Sequence, residues 1–166
     1  VWRREFAAVV PSLAQQLADR SDARIEVEPE RPRQRAGWRL GGSVDRIEHR
    51  IGGSTIVDYK TGSRVAAPAD LVAGEAVQLP HYALAIDDPA ALEYWKLGRD
   101  IDADKRIVSL PDEALTPLLA GIETRLASLR SRLEAGHPLP ANGTAAVCEH
   151  CDHAGLCRRG AWVAAS

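Results

Sequence analysis

The amino-acid sequence predicts a mixed α/β domain built around an antiparallel hairpin. Near both ends of the chain, apolar residues recur at three- and four-residue steps, which is the spacing of amphipathic helices. Between them lie β-rich segments separated by glycine and proline, and the resulting order is helix, three strands, helix, strand, helix. We therefore expect a mixed central sheet flanked by helices, with a cysteine-rich loop at the carboxyl end.

The first third of the chain contains one predicted helix and three predicted strands. Residues 1–18 form an amphipathic helix through Val9, Leu13 and Leu17. Alternation predicts a strand over 24–35, which two prolines weaken. A second strand is expected over 38–50 with a bend at its glycine pair, and a third over 54–60 after a glycine turn.

The rest of the chain is predicted to alternate between helix and strand before its composition changes. Residues 61–76 form an irregular connection with one helical turn, and a helix follows over 78–86 with Pro80 in its first turn. A short strand is expected over 92–97 and a long leucine-rich helix over 111–135. Because the composition shifts at Gly136, we predict a core over 1–135 and a cysteine-rich segment over 136–166.

Composition and charge exclude several classes of protein. The 166 residues allow one domain with a small appendage, and a net charge of −2 argues against binding polyanions with the whole surface. No apolar run reaches the ~18–20 residues of a membrane span. The 3 cysteines are an odd number, so a disulfide framework is not expected and we predict a cytoplasmic protein. The chain opens at Val1 within a helical pattern, so we expect further sequence upstream.

Charged residues interrupt the predicted hairpin. Asp58 and Lys60 are two residues apart on one strand, so their side chains project from the same face. Asp45 is predicted to lie on the preceding strand. A two-residue turn at 52–53 places Asp45 opposite Lys60, whereas a four-residue loop at 50–53 places it opposite Asp58. Both loops put all three side chains on one face of the sheet.

Two opposed carboxylates favour the binding of a divalent cation. Directly opposed strand residues have Cβ atoms about 5 Å apart, and carboxylates this close repel each other unless a cation lies between them. Mg²⁺ suits such a pair because it prefers oxygen ligands and keeps waters that a phosphate can replace. Lys60 would then stabilise charge on the phosphate or orient the attacking water. The alternative is that Asp58 and Lys60 belong to an ordinary solvated strand face.

Four motifs in this order resemble those of a known family. The motifs are Gly42-Ser-Val-Asp45-Arg-Ile, Ile56-Val-Asp58-Tyr-Lys60-Thr-Gly, Gln78-Leu-Pro-His-Tyr82-Ala and Cys148-Glu-His-Cys151-Asp-His-Ala-Gly-Leu-Cys157-Arg-Arg. The first three resemble the consecutive motifs of RecB-type nucleases of the PD-(D/E)XK superfamily, and the fourth resembles the iron–sulfur segment of AddB-type helicase–nuclease subunits.

The resemblance implies a restriction-endonuclease-like fold and a Mg²⁺- or Mn²⁺-dependent DNA nuclease. Asp45, Asp58 and the backbone carbonyl of Tyr59 would bind the metal, and Lys60 would be the catalytic lysine. The substrate would be single-stranded DNA or DNA ends during recombinational repair, and the partner would be a helicase subunit or a fused helicase domain. No association with a membrane is expected.

The resemblance also assigns Gln78 and Tyr82 to the site, facing water or DNA. They lie one helical turn apart and share one face. From the residues alone, Gln78 is expected on the helix surface and Tyr82 in the core.

One departure from the family pattern leaves a metal ligand unassigned. Family members carry a metal-binding histidine on an upstream helix, and the predicted helix over 1–18 contains no histidine. Glu26 and Glu28 are additional candidate carboxylates on the first strand.

The alternatives to a nuclease are a catalytically inactive DNA-binding or scaffolding module of the same fold and a zinc-binding interaction domain.

The spacing Cys-X₂-Cys-X₅-Cys is typical of metal ligands rather than of a packed core. Cys148, Cys151 and Cys157 leave one position of a tetrahedral Zn²⁺ unfilled, which His150 or His153 would complete. The resemblance implies instead a structural [4Fe–4S] cluster in the full-length protein, whose remaining cysteine lies upstream.

Overall fold

The computed structural model describes residues 2–30, 32–62, 65–138, 143, 148–157 and 159. The chain divides into two compact units, Val1–Ala127 and Ser128–Ser166. In chain order, the helices and strands are α1 Trp2–Ala18, β1 Arg24–Val27, β2 Arg33–Arg35, β3 Trp38–Leu40, β4 Arg46–Arg50, β5 Gly53–Lys60, α2 Pro68–Ala73, α3 Gln78–Leu84, β6 Pro89–Lys96, a 3₁₀ turn Ala103–Lys105, β7 Ile107–Ser109, α4 Asp112–Glu134 and α5 Ala154–Cys157.

The first unit contains a five-stranded mixed sheet with the strand order β1-β4-β5-β6-β7. Strands β5 and β6 pair in parallel, whereas the other neighbours in this sheet pair antiparallel. A parallel pair needs a crossover connection, and α2 and α3 lie within it. The predicted mixed α/β architecture with a central antiparallel hairpin is confirmed.

Two of the predicted strands are each divided in two. The strand expected over 24–35 breaks into β1 and β2, because Pro29 and Pro32 interrupt its hydrogen bonding. The strand expected over 38–50 breaks at its glycine pair into β3 and β4, and β2 pairs with β3 as a separate hairpin. Asp45 therefore lies in a bend one residue before β4, so its predicted place on a strand is wrong.

The β4–β5 register follows one of the two expected alternatives. Arg50 pairs with Gly53 across a two-residue loop, and Arg46 pairs with Val57. One further step along this register sets Asp45 opposite Asp58. The alternative that placed Asp45 opposite Lys60 is wrong, and the loop is shorter than the four residues expected, because Gly53 enters β5 at a φ of 127°.

The apolar core lies on the face of the sheet that α2, α3 and α4 cover. Sheet residues Ile47, Ile56 and Leu92 are fully buried there against Leu71 and Leu79 of the helices. Burying each such side chain contributes about 1.5–3 kcal/mol to stability. This packing fixes α3 across β5 and β6 and brings its first turn to the carboxyl end of β5.

Helices α3 and α4 and strand β6 were predicted with boundary errors of one to three residues, whereas strand β7 and the 3₁₀ turn were missed. Helix α4 spans Asp112–Glu134 rather than 111–135, α3 ends at Leu84, and β6 begins at Pro89. Strand β7 and the 3₁₀ turn contain three residues each, too few for a periodic signal. Within the described ranges, no helix combines the length and apolar character that crossing a membrane requires.

Candidate active site

The carboxyl end of β5 brings an aspartate and a lysine together on one face. The Asp58 side chain is only 2% exposed, and the Lys60 side chain is 31% exposed. Lys60 Nζ lies 2.6 Å from Asp58 Oδ2 and donates a hydrogen bond of 2.7 Å to Gln78 Oε1. The ammonium group therefore bridges the strand and the first turn of α3.

A backbone hydrogen bond holds Asp45 beside this pair. The N–H of Tyr59 donates to Asp45 Oδ2 over 2.8 Å. The carbonyl of Asp45 in turn accepts a hydrogen bond of 3.1 Å from the N–H of Glu28. This bond extends the β1–β4 pairing by one residue beyond the amino-terminal end of β4. Both the side chain and the main chain of Asp45 are thus held, although the residue lies outside regular structure.

Burial and a neighbouring negative charge raise the pKa of Asp58. Loss of solvent is the largest cause, Lys60 opposes it through its proximity and positive charge, and Asp45 adds to the rise. The metal-free site consequently binds a proton more readily than a solvated aspartate does. A cation between the two carboxylates would reverse this effect by favouring their ionised forms.

Helix α3 contributes the glutamine and tyrosine of the third motif. Gln78 is exposed and donates through Nε2 to Tyr82 Oη over 3.3 Å. Together with the hydrogen bond from Lys60, this makes a continuous row of hydrogen bonds from β5 along one side of α3. The Tyr82 ring is half-buried and lies against Gly42, where an added Cβ would come within 2.9 Å of ring carbon Cε1.

Replacing Gly42 with alanine is expected to displace the Tyr82 ring. Overpacking of this kind costs about 1–3 kcal/mol, so we expect a lower melting temperature. Gly41→Ala is the matched control, because an added Cβ there has no atom within 4 Å. Thermal unfolding of both variants checks the prediction, and equal melting temperatures would contradict it.

Strand β6 adds two residues to this surface that the sequence analysis did not identify. Parallel pairing sets Tyr94 beside Asp58 and Lys96 beside Lys60. Lys60 Nζ lies 5.6 Å from the centre of the Tyr94 ring, which is a favourable cation–π distance. Burial, followed by the charge of Asp58, raises the pKa of Tyr94 to about 12. The alternation of tyrosine and lysine was visible in the sequence, but the strand that pairs with it was not.

The other candidate carboxylates, Glu26 and Glu28, lie on β1 and directly after it. Glu26 Oε1 accepts a hydrogen bond of 2.6 Å from Arg24, and Glu28 is exposed. Glu26 is therefore engaged by Arg24, whereas Glu28 lies beside Asp45 through its backbone N–H, and the ligand role of each stays a prediction.

The acidic pair fits a small, hard divalent cation. Asp58 Oδ2 is buried and lacks a well-directed hydrogen bond within the described part of the chain, although the Lys60 ammonium is close to it. The described residues contain no group of three or more His, Cys, Asp or Glu side chains able to hold a metal. Two carboxylates nevertheless suffice for Mg²⁺, which completes its coordination with waters and backbone or substrate oxygens.

The three cysteines do not form a metal site among the described residues. All three are free and half-buried. The N–H of Cys151 donates to the carbonyl of Cys148 over 3.3 Å, and Cys157 closes α5 through a bond of 3.0 Å to the carbonyl of His153. Among the described residues, these three thiols are therefore not assembled into a zinc or iron–sulfur site.

A mixed sheet that presents two carboxylates and a lysine side by side is suited to phosphodiester hydrolysis. The fold and the site therefore agree with the class of nucleases. Residues 1–158 match the PD-(D/E)XK nuclease superfamily. The chain belongs to that superfamily, and its sheet and flanking helices agree with a restriction-endonuclease-like fold. A search of curated proteins found no match.

Proposed function

We propose that this protein is a Mg²⁺- or Mn²⁺-dependent deoxyribonuclease. The observation that carries the proposal is the position of the Lys60 ammonium, 2.6 Å from a buried Asp58 oxygen and 2.7 Å from Gln78. A lysine held at the edge of an acidic pair can meet an anionic substrate there without leaving its own partners.

Each site residue has a separate task in this proposal. Asp45, Asp58 and the Tyr59 carbonyl hold the cation, which when bound supplies Lewis-acid stabilisation of phosphate charge and a lower pKa for water. Lys60 donates to the phosphate or orients the attacking water, and Gln78 keeps the ammonium in place. The water oxygen bonds to phosphorus as the water gives up a proton to solvent, the bond to the 3′ oxygen breaks, and solvent protonates the leaving oxygen.

We further propose a RecB-like exonuclease that acts on DNA ends during recombinational repair, in the cytoplasm and beside a helicase. The resemblance of the first three motifs supports this assignment. A net charge of −2 also suits such a role, because a helicase would supply most of the affinity for DNA.

For the cysteine segment, we propose a division at 1–135 and 136–166 with a [4Fe–4S] cluster in the full-length protein. This rests on the resemblance of the fourth motif alone. Iron and acid-labile sulfide in anaerobically purified full-length protein would support it. Stoichiometric Zn²⁺ without iron would favour the zinc-binding alternative instead.

Metal-dependent cleavage of labelled single-stranded DNA tests the nuclease proposal. We expect cleavage with Mg²⁺ or Mn²⁺, its loss in EDTA, and its return when excess Mn²⁺ is added. A folded protein that binds DNA but does not cleave it with either metal would contradict the proposal and favour an inactive scaffolding module.

A further inference from the structure

The reverse face of the sheet carries a buried set of charged side chains. Glu48 is 0%, Arg46 4% and Glu93 7% exposed, and all three lie on the face away from Asp58. Arg20, which follows α1, completes the set. Buried charges are costly unless they are paired with good geometry, so their arrangement is strongly constrained. We call these four side chains the reverse-face network.

The network joins β4, β6 and the turn after α1 through short ion pairs. Arg46 Nη2 lies 2.6 Å from Glu48 Oε1 on β4. Arg20 binds both oxygens of Glu93 at 2.8 and 3.0 Å and reaches Glu48 at 3.2 Å. Its guanidinium and that of Arg46 lie 5.1 and 5.2 Å from the Trp95 ring. Forked guanidinium–carboxylate bonds fix both distance and orientation, so the network sets how β4, β5 and β6 lie together.

The network reaches the acidic pair through one tyrosine. Arg46 Nη1 donates to Tyr59 Oη over 3.2 Å, and the Tyr59 ring packs edge-on against Trp95 at 6.0 Å. The backbone N–H of Tyr59 is the donor that holds Asp45 Oδ2 at 2.8 Å. Arg46 also follows Asp45 directly in the chain. Both ends of the Tyr59–Asp45 hydrogen bond are thus attached to Arg46, one covalently and one through the phenol.

We propose that Arg46 and Tyr59 are positioning residues that hold the Asp45 carboxylate toward the cation. This inference rests on the proposed function, because it assumes that Asp45 is a metal ligand. Asp45 lies outside β4, and the N–H of Tyr59 is the hydrogen-bond donor to its carboxylate. The Arg46–Tyr59 contact, together with the pairing of Tyr59 with Trp95, therefore helps to set where that donor lies. Residues that orient a metal ligand in this way typically alter metal affinity by about 10- to 100-fold when changed.

Mn²⁺ binding by the 166-residue chain tests the proposal. We expect Arg46→Met to weaken Mn²⁺ binding by about 10- to 100-fold and Tyr59→Phe to weaken it in the same direction by a smaller factor. Cleavage should fall at limiting Mn²⁺ and recover at saturating Mn²⁺, with KM for DNA unchanged. A general structural defect would not be rescued by metal. Tyr59→Phe keeps the test valid if Arg46→Met fails to fold, because it removes only the phenolic oxygen.

Arg50→Met is the matched control. Arg50 Nη2 binds the same Glu48 at 3.0 Å, but it lies at the far end of β4, next to the hairpin loop. We expect its Mn²⁺ affinity to stay within about twofold of the wild type, because it lies far along the strand from Asp45. Equal affinities in all variants, or equal losses in Arg50→Met and Arg46→Met, would overturn the positioning role. Absence of Mn²⁺ binding in the wild type would instead overturn the proposed function.

Discussion

Replacing Asp58 with asparagine is expected to abolish cleavage and to make the metal-free protein more stable at neutral pH. The variant replaces a carboxylate proposed to bind the metal with a neutral amide. Cleavage activity should therefore fall by at least about 100- to 1,000-fold, which is the loss seen when a charge-stabilising group is removed from an active site. Cleavage assays in Mg²⁺ and Mn²⁺ measure this loss. Cleavage at the wild-type rate would contradict the role given to Asp58.

The stability gain follows from the raised pKa of Asp58. Because burial raises this pKa in the folded state, the protonated form contributes stability that is fully present below the unfolded pKa of about 3.9. That stability is lost as the pH rises through the folded pKa. Asparagine stays neutral, so the variant should melt at a higher temperature than the wild type at neutral pH, and the difference should vanish once the pH falls below the unfolded pKa.

Thermal unfolding in EDTA from acidic to mildly alkaline pH checks this expectation. Asp100→Asn is the control, because the Asp100 side chain is 90% exposed and its neutralisation should change stability little at any pH. A melting temperature of Asp58→Asn below that of the wild type at mildly alkaline pH would show that the pairing with Lys60 outweighs burial.

Replacing Lys60 with methionine is expected to lower cleavage by about 100- to 1,000-fold while metal binding at high pH is retained. Lys60 lowers the pKa of Asp58, so its removal should raise that pKa further. Protons then compete with Mn²⁺ at a higher pH, and the pH at which Mn²⁺ affinity declines should move upward. Calorimetric titration with Mn²⁺ at several pH values, beside the cleavage assay, measures both effects.

The chain provides a matched control for this variant. Lys105 is one of only three lysines in the sequence, and its exposed side chain pairs with Asp102 at 2.7 Å in the 3₁₀ turn. Lys105→Met removes the same charge without touching the acidic pair, and we expect wild-type cleavage. An equal loss of cleavage in both variants would mean that Lys60 acts only through the net charge of the protein.

The sequence was sufficient to predict which side chains share a face, because strand alternation is local. Asp58 and Lys60 project together for this reason alone. The position of Asp45 could not be predicted as well, because it depends on where pairing with β1 and β5 ends. The bend before β4 left the residue outside the strand, yet the register still set it opposite Asp58.

Contacts between strands distant in sequence could not be predicted. The parallel pairing of β6 with β5 brings Tyr94 and Lys96 beside the site, and it depends on the path of the chain through α2 and α3. Arg46 and Glu48 likewise resemble the solvated face of an edge strand when only the local pattern is considered. They are buried because β1 and β5 flank β4 and because Arg20, which follows α1, pairs with Glu48 on that face.

A crystal structure of the Mn²⁺-soaked protein, with the metal located by its anomalous scattering, tests most directly whether Asp45 and Asp58 share one cation. We expect one strong peak between the carboxylates of Asp45 and Asp58, about 2 Å from an oxygen of each, as for a small hard cation. A peak elsewhere, or an Asp45 carboxylate directed away from Asp58 in the metal-bound protein, would contradict it.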